Sequence, residues 1–338
     1  MLRTFSLCLA ILMPVTATAQ SEADITAAIV DDHILPRYAA LVVETMALAE
    51  VADSSCQPGD PALQAAFHDA FDAWIAVSHI TFGPAETDGR YFALSFWPDT
   101  RSMTGRSLST LIADADPIVS TAEAYATVSV AARGLYALEF LLFDPEVSTA
   151  GEDAYRCALV QAITADIAAT AAQIEADWTG TFAALMRGAG SNDRFQSPDE
   201  ALRVLFGSLT TGLEFTADLR LGRPLGTFDA PRAARAEARR SGRSLRHVAL
   251  SLQSLADLAD RLATGDPGLR QALADRFDIA LDAAARLDDP IFAGVDDPQG
   301  RLRVEALQQR VQEVRDLVSS ELGPKLGVAA GFNSLDGD

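Results

Sequence analysis

Apolar positions recur at intervals of three and four along most of the chain, the period of an α-helix with one buried face. Tyr38, Leu41, Val42, Thr45, Leu48, Ala49 and Ala52 form one such stripe. Asp60-Pro61 opens a second helix, an N-cap followed by Pro at the first helical position, which continues through Leu63, Phe67, Ala70, Trp74 and Val77. Leu245, Val248, Leu252, Leu255, Ala259 and Leu262 repeat the pattern, as do Val304, Leu307, Val311, Val314 and Val318. Alternation of the strand type bounded by turns is scarce, and alanine, the strongest helix former, is abundant. The pattern predicts an all-α protein.

Two stretches interrupt the period. Residues 81–102, "TFGPAETDGRYFALSFWPDTRS", combine Gly and Pro with several aromatics. A connection that keeps its aromatics is expected to be packed or functional. Residues 187–196, "RGAGSNDRFQ", form a polar linker, after which Ser197-Pro198-Asp199-Glu200 carries a capping-box pattern. The expected organisation is a helical bundle over 20–190 and a second over 197–338. Their similar sizes make a structural duplication plausible.

The first nineteen residues stand apart. Arg3, the apolar run "FSLCLAILMPV" and Ala17-Thr18-Ala19 have the form of a secretory signal peptide. The run is too short to span a bilayer, and no later stretch is expected to span one. A secreted protein follows. In an oxidising compartment the remaining two cysteines, Cys56 and Cys157, read as one disulfide tying the first helical hairpin to a later helix. No C-x-x-C or paired His accompanies them to suggest zinc.

Charge narrows the partners. With 47 acids against 27 bases the formal net charge is −20, which argues against nucleic acid and anionic membrane surfaces. Against that background, "RAARAEARRSGRSLR" at 232–246 is a basic run. Residues 131–143, "AARGLYALEFLLF", place Glu139 inside an apolar helix, with Tyr136 one turn before it and Arg133 a turn earlier. A buried carboxylate requires a partner or a metal, and an arginine of the basic run, Arg239, Arg240 or Arg243, is the favoured structural partner. The four histidines, His33, His68, His79 and His247, are scattered and read as isolated side chains. No Ser-His-Asp, Cys-His or H-E-x-x-H pattern is legible, and no catalytic residue is assigned.

"GLYALEFLLF" resembles the imelysin signature G-x-H-x-x-E, with Gly134 and Glu139 at the glycine and glutamate and Tyr136 where the family has histidine. Two further stretches agree with that resemblance: Phe82-Gly83-Pro84 with Arg90 and Phe96-Trp97-Pro98-Asp99, and the ending "LGVAAGFNSLDGD" at 326–338. The resemblance implies two helical bundles with a site between them, a periplasmic or surface location, and a link to iron uptake. It implies a ligand site at Tyr136, Glu139, Arg90, Trp97, Asp99 and Arg133, with Glu139 as a candidate ligand for iron or another divalent or trivalent metal. A small ligand or iron species, and envelope iron-uptake proteins, are the implied partners. Neutral tyrosine is a poor ligand where imidazole is a good one. The leading expectation is therefore a binding protein without peptidase activity. A metallopeptidase of the imelysin type and an envelope scaffold are the alternatives.

Overall fold

The computed structural model describes residues 21–328, so the leader and the last ten residues lie outside the described residues. Among the described residues the chain is helical, with no strand beyond an isolated bridge between Thr227 and Ala230. Ten helices of eight residues or more are numbered here: α1 Glu22–Ile29, α2 Leu35–Ser54, α3 Pro61–Val77, α4 Met103–Asp114, α5 Gly134–Phe143, α6 Asp153–Asp177, α7 Pro198–Glu214, α8 Ser244–Leu262, α9 Pro267–Arg286 and α10 Pro298–Leu317.

The expected stripes are the buried ones. Tyr38, Leu41, Thr45, Leu48 and Ala52 on α2, Leu63, Phe67, Ala70, Trp74 and Val77 on α3, and Val304, Leu307, Val311 and Val314 on α10 all face the core. Asp60 caps α3 as its position requires, its carboxylate accepting from the backbone N–H of Ala62 at 2.7 Å and of Leu63 at 3.2 Å.

By contact the helices assort into two groups. In one, α2 packs against α3 and α6, and α6 against α5. In the other, α8 packs on α9, α9 on α10, and α7 on both α8 and α10. The groups meet where α3 lies against α8. The first helical run also joins them, because α1 packs on α7 and α8 while α2 belongs to the first group. One π-helical turn, Val30–Ile34, separates α1 from α2. Cys56 and Cys157 are bonded, with Cα atoms 5.0 Å apart. The bridge fastens the end of α2 to the first turns of α6, as the sequence suggested.

One expectation changes. The run Asp153–Arg187 is long and apolar enough by length and composition to cross a membrane. Half of its most apolar 18-residue stretch is buried within the molecule, and the helix packs against α2, α5 and their neighbours. A core helix of a large bundle has that character without a bilayer.

Candidate functional site

The 131–143 stretch begins its helix later than the sequence suggested. Arg133 is extended, at φ −114° and ψ 164°, and α5 starts at Gly134. Gly134 has φ +73°, and a Cβ there would lie 2.3 Å from the carbonyl oxygen of Ala93 and 2.4 Å from that of Leu94. Only glycine fits such a backbone approach at positive φ. The contact sets the start of α5 under the 93–97 loop and brings Trp97 over Tyr136, ring centroids 6.3 Å apart and nearly parallel. α5 is buried on almost every side, Glu139 included.

A cleft of about 390 Å³ opens above these residues. Phe96, Trp97, Asp99 and the start of α4 form one wall, Tyr136, Glu139 and Phe140 the floor, and Arg223 with residues 234–240 the other wall. That second wall is the irregular segment after Gly222–Leu225, which leads into α8. It turns sharply at Ala238, whose φ is +44°. The turn sends Glu237 toward Tyr136 and Ser241 toward Glu139.

Glu237 is the hub beneath the cleft. The Tyr136 hydroxyl donates to its Oε1 at 2.5 Å, and Arg220 Nε donates to its Oε2 at 2.7 Å. His247 Nδ1 lies 3.2 Å from Oε2 but is misaligned for a hydrogen bond. Burial pushes the Glu237 carboxyl up. The Arg220 charge, with His247 and Tyr136, outweighs this and brings it down to about 2. The same burial, together with the Glu237 charge, drives the Tyr136 phenol well above its usual range. Tyr136 is thus held as a neutral phenol whose proton points into the protein.

Glu139 is satisfied by the basic run, though not by an arginine. Its Oε1 accepts from the Ser241 backbone N–H at 2.9 Å and from the Ser241 hydroxyl at 2.8 Å. Arg240 pairs with Asp144 at 2.7 Å, Arg243 pairs with Asp72, and Arg239 donates to the Ala234 carbonyl. Burial raises the Glu139 carboxyl above its ordinary value, with the Ser241 donors and the Arg240 charge only partly opposing it.

Of the residues singled out from the sequence, the structure brings Trp97, Asp99, Tyr136 and Glu139 to the cleft. Asp99 spends its carboxylate on the backbone N–H groups of Thr104, at 2.8 Å, and Arg101, at 3.2 Å. The other two lie elsewhere. Arg90 pairs with Asp177 at 2.5 Å, and Arg133 forms a two-pronged pair with Asp166 at 2.7 and 2.8 Å. Arg133 fails to follow Tyr136 and Glu139 because it precedes the helix whose face they share.

The reading of four isolated histidines is corrected. His33, within the π-helical turn, places Nε2 2.8 Å from Nε2 of His79 and Nδ1 2.7 Å from Asp257. His79 falls beyond the end of α3, where the chain turns back toward the π-helical turn that carries His33. His247 packs its ring on Phe71, with centroids 4.4 Å apart, beside Glu237.

A metal held by the signature residues requires anionic or imidazole donors that face the cleft. The Tyr136 proton is committed to Glu237, and one Glu139 oxygen to Ser241. Arg223, Arg235 and Arg240 line the same space. Among the described residues no three His, Cys, Asp or Glu side chains gather closely enough to hold an ion. The donor set at Tyr136 and Glu139 does not fit a protein-ligated metal.

Known proteins share this architecture. A crystal structure of an imelysin-like protein from Psychrobacter arcticum 273-4 superposes with a TM-score of 0.79 at 20% identity, covering 95% of this chain and 100% of that one. A protein from Parabacteroides distasonis ATCC 8503, described as an iron-regulated protein A precursor, superposes with a TM-score of 0.73 at 14% identity, covering 90% of this chain and 96% of that one. Iron-regulated protein A of Synechococcus elongatus is 23% identical over 312 residues, 87% of this chain and 84% of that protein. The imelysin family model matches residues 34–318, and with it the chain belongs to the imelysin family.

Proposed function

We propose that this protein is a secreted, periplasmic binding protein with an iron-related role, which takes its ligand in the cleft over Tyr136 and Glu139 and does not hydrolyse peptides. The observation that carries this reading is the bond from the Tyr136 hydroxyl to Glu237 at 2.5 Å, beneath a cleft of small-molecule size. A zinc peptidase needs several protein ligands, an open position and a base. The signature position instead carries a neutral phenol bonded away from the cleft. The naming of relatives as iron-regulated proteins supports the iron-related role, and the word precursor for one of them supports secretion.

The test is metal analysis of the native protein, followed by zinc and iron titration and a peptide-hydrolysis assay on wild type and Glu139→Gln. The expected result is no stoichiometric metal and no turnover in either form. Stoichiometric metal that is lost in Glu139→Gln, together with hydrolysis by wild type, would overturn the reading in favour of a metallopeptidase.

A further inference from the structure

We infer that the ligand of this cleft is a small organic anion bearing carboxylates, recognised by Arg223 and Arg235. The inference rests on the binding-protein reading above and supplies its ligand class.

The argument begins with an imbalance. In a chain of net charge −20, most arginines find an acid, yet the cleft wall carries two that do not. Arg223 and Arg235 both line the cleft and neither forms an ion pair among the described residues. The Arg223 guanidinium sits 5.6 Å over the Trp97 ring, and its Nε is shielded from solvent without an acceptor. Burial, and then the like charge of Arg235, lowers its affinity for its own proton. Two neighbouring guanidiniums, one partly desolvated, are held together at a cost that an anion between them would offset.

The carboxylates of the cleft do not supply that anion. Asp99 is spent on backbone N–H groups at the start of α4, and Glu139 accepts from the backbone N–H and hydroxyl of Ser241, with burial raising its carboxyl above the ordinary value. A guanidinium presents parallel N–H groups that match a carboxylate in two-pronged fashion. The aromatic rings of Trp97 on the wall and Phe140 on the floor suit the carbon frame between such groups. At about 390 Å³ the cleft exceeds what a bare ion needs and matches a small molecule. The carboxylates could arrive on a free organic acid or on an anionic iron chelate. The second would reconcile an iron-related role with a cleft that offers iron no ligands of its own.

The experiment is calorimetric titration of the full mature chain with citrate, anionic ferric citrate, aqueous zinc and ferrous ions, and spermidine as a cation of similar size. Variants are Arg223→Gln, Arg235→Gln and Arg276→Gln, the last an exposed arginine paired with Glu313 away from the cleft. Thermal unfolding checks that each variant is folded. Citrate or its ferric complex should bind, tenfold or more weaker in Arg223→Gln, several-fold weaker in Arg235→Gln, and unchanged in Arg276→Gln. The tighter of the two probes identifies the source of the carboxylates. No binding of either anion, binding indifferent to Arg223→Gln, or preferential binding of a cation would overturn the inference. Saturable cation binding without peptide turnover would defeat the anion while leaving the binding-protein reading intact, whereas turnover would defeat that reading itself.

Discussion

Glu237 and Asp257 each anchor a polar cluster inside the helical core, and they reach neutrality by different routes. Glu237 is 1% exposed and rests on one guanidinium, that of Arg220, with the Tyr136 hydroxyl completing its bonds. Asp257 keeps about a third of its side chain in water and is shared by Arg37, Arg261 and the His33 ring. The first cluster is dry and single-partnered; the second is wet at one end and has spare cations. Position in the fold explains the difference. Glu237 lies under the cleft, where the turn at Ala238 buries it against α5. Asp257 sits on α8 where the π-helical turn between α1 and α2 meets the end of α3. The cleft floor is therefore fixed by one desolvated ion pair, and the junction of the helix groups by a network with redundancy.

The sharpest way to break the comparison is to neutralise each carboxylate. Glu237→Gln leaves Arg220 charged, buried and without a counter-ion, a loss of about 3–5 kcal/mol. Asp257→Asn leaves Arg37 and Arg261 with access to water, and a loss of about 1–2 kcal/mol is expected. Urea denaturation at pH 7 measures both. Equal losses would show that redundancy and solvent do not protect the second cluster.

The sequence made the helices legible and left these clusters hidden, for a physical reason. Periodicity reports which face of a helix is buried, so the stripes on α2, α3 and α10 could be read directly, and the lone cysteine pair pointed to its own bridge. Contacts between residues a hundred apart leave no such trace. Glu139 was visible as an acid in an apolar helix, and its partner was sought in the correct segment. The type was wrong: Ser241 holds it, because two short donors reach a buried carboxylate while the arginines on either side turn to Asp144 and Asp72. Glu237 did carry a signal, as the one acid within the run "RAARAEARR". The His33–His79 contact had none, since its two residues lie in a π-helical turn and beyond a helix end.

Acid should separate the clusters by pH. Burial, only partly opposed by Asp257, lowers His33 to about 4, and the charges of Arg37 and Arg261 act in the same direction. His79 is also lowered, by burial and then by His33 itself. Between about 6.5 and 4 the unfolded chain binds a proton at His33 that the native chain refuses. Stability therefore falls as pH falls through that window, by up to about 3 kcal/mol from His33. Glu237 works lower: its folded value near 2 lies below its unfolded one, so its contribution is present above about 4.5 and is lost as pH falls toward 2. Stability measured from pH 7 to 4 should decline in wild type and decline less in His33→Gln. An unchanged slope in that variant would remove His33 from the account.

A modest effect is expected at Tyr136, which stands where the resembled signature has histidine. Tyr136→Phe removes one hydrogen bond to a charged acceptor and leaves the rest of the floor in place. The ring keeps its edge contact with Phe71, at 5.1 Å between centroids, and its place beneath Trp97. Glu237 keeps Arg220. A loss of about 1–2 kcal/mol follows from the bond alone, well short of the loss in Glu237→Gln. The order of the two is informative because both variants disturb the same hub from opposite sides. If Arg220 carries the neutralisation, deleting the phenol's proton is a modest change and the cleft retains its shape. If Tyr136→Phe proved as damaging as Glu237→Gln, the hydroxyl would be the essential partner, and the tyrosine at the signature position would be a structural requirement of this floor as much as a departure in chemistry.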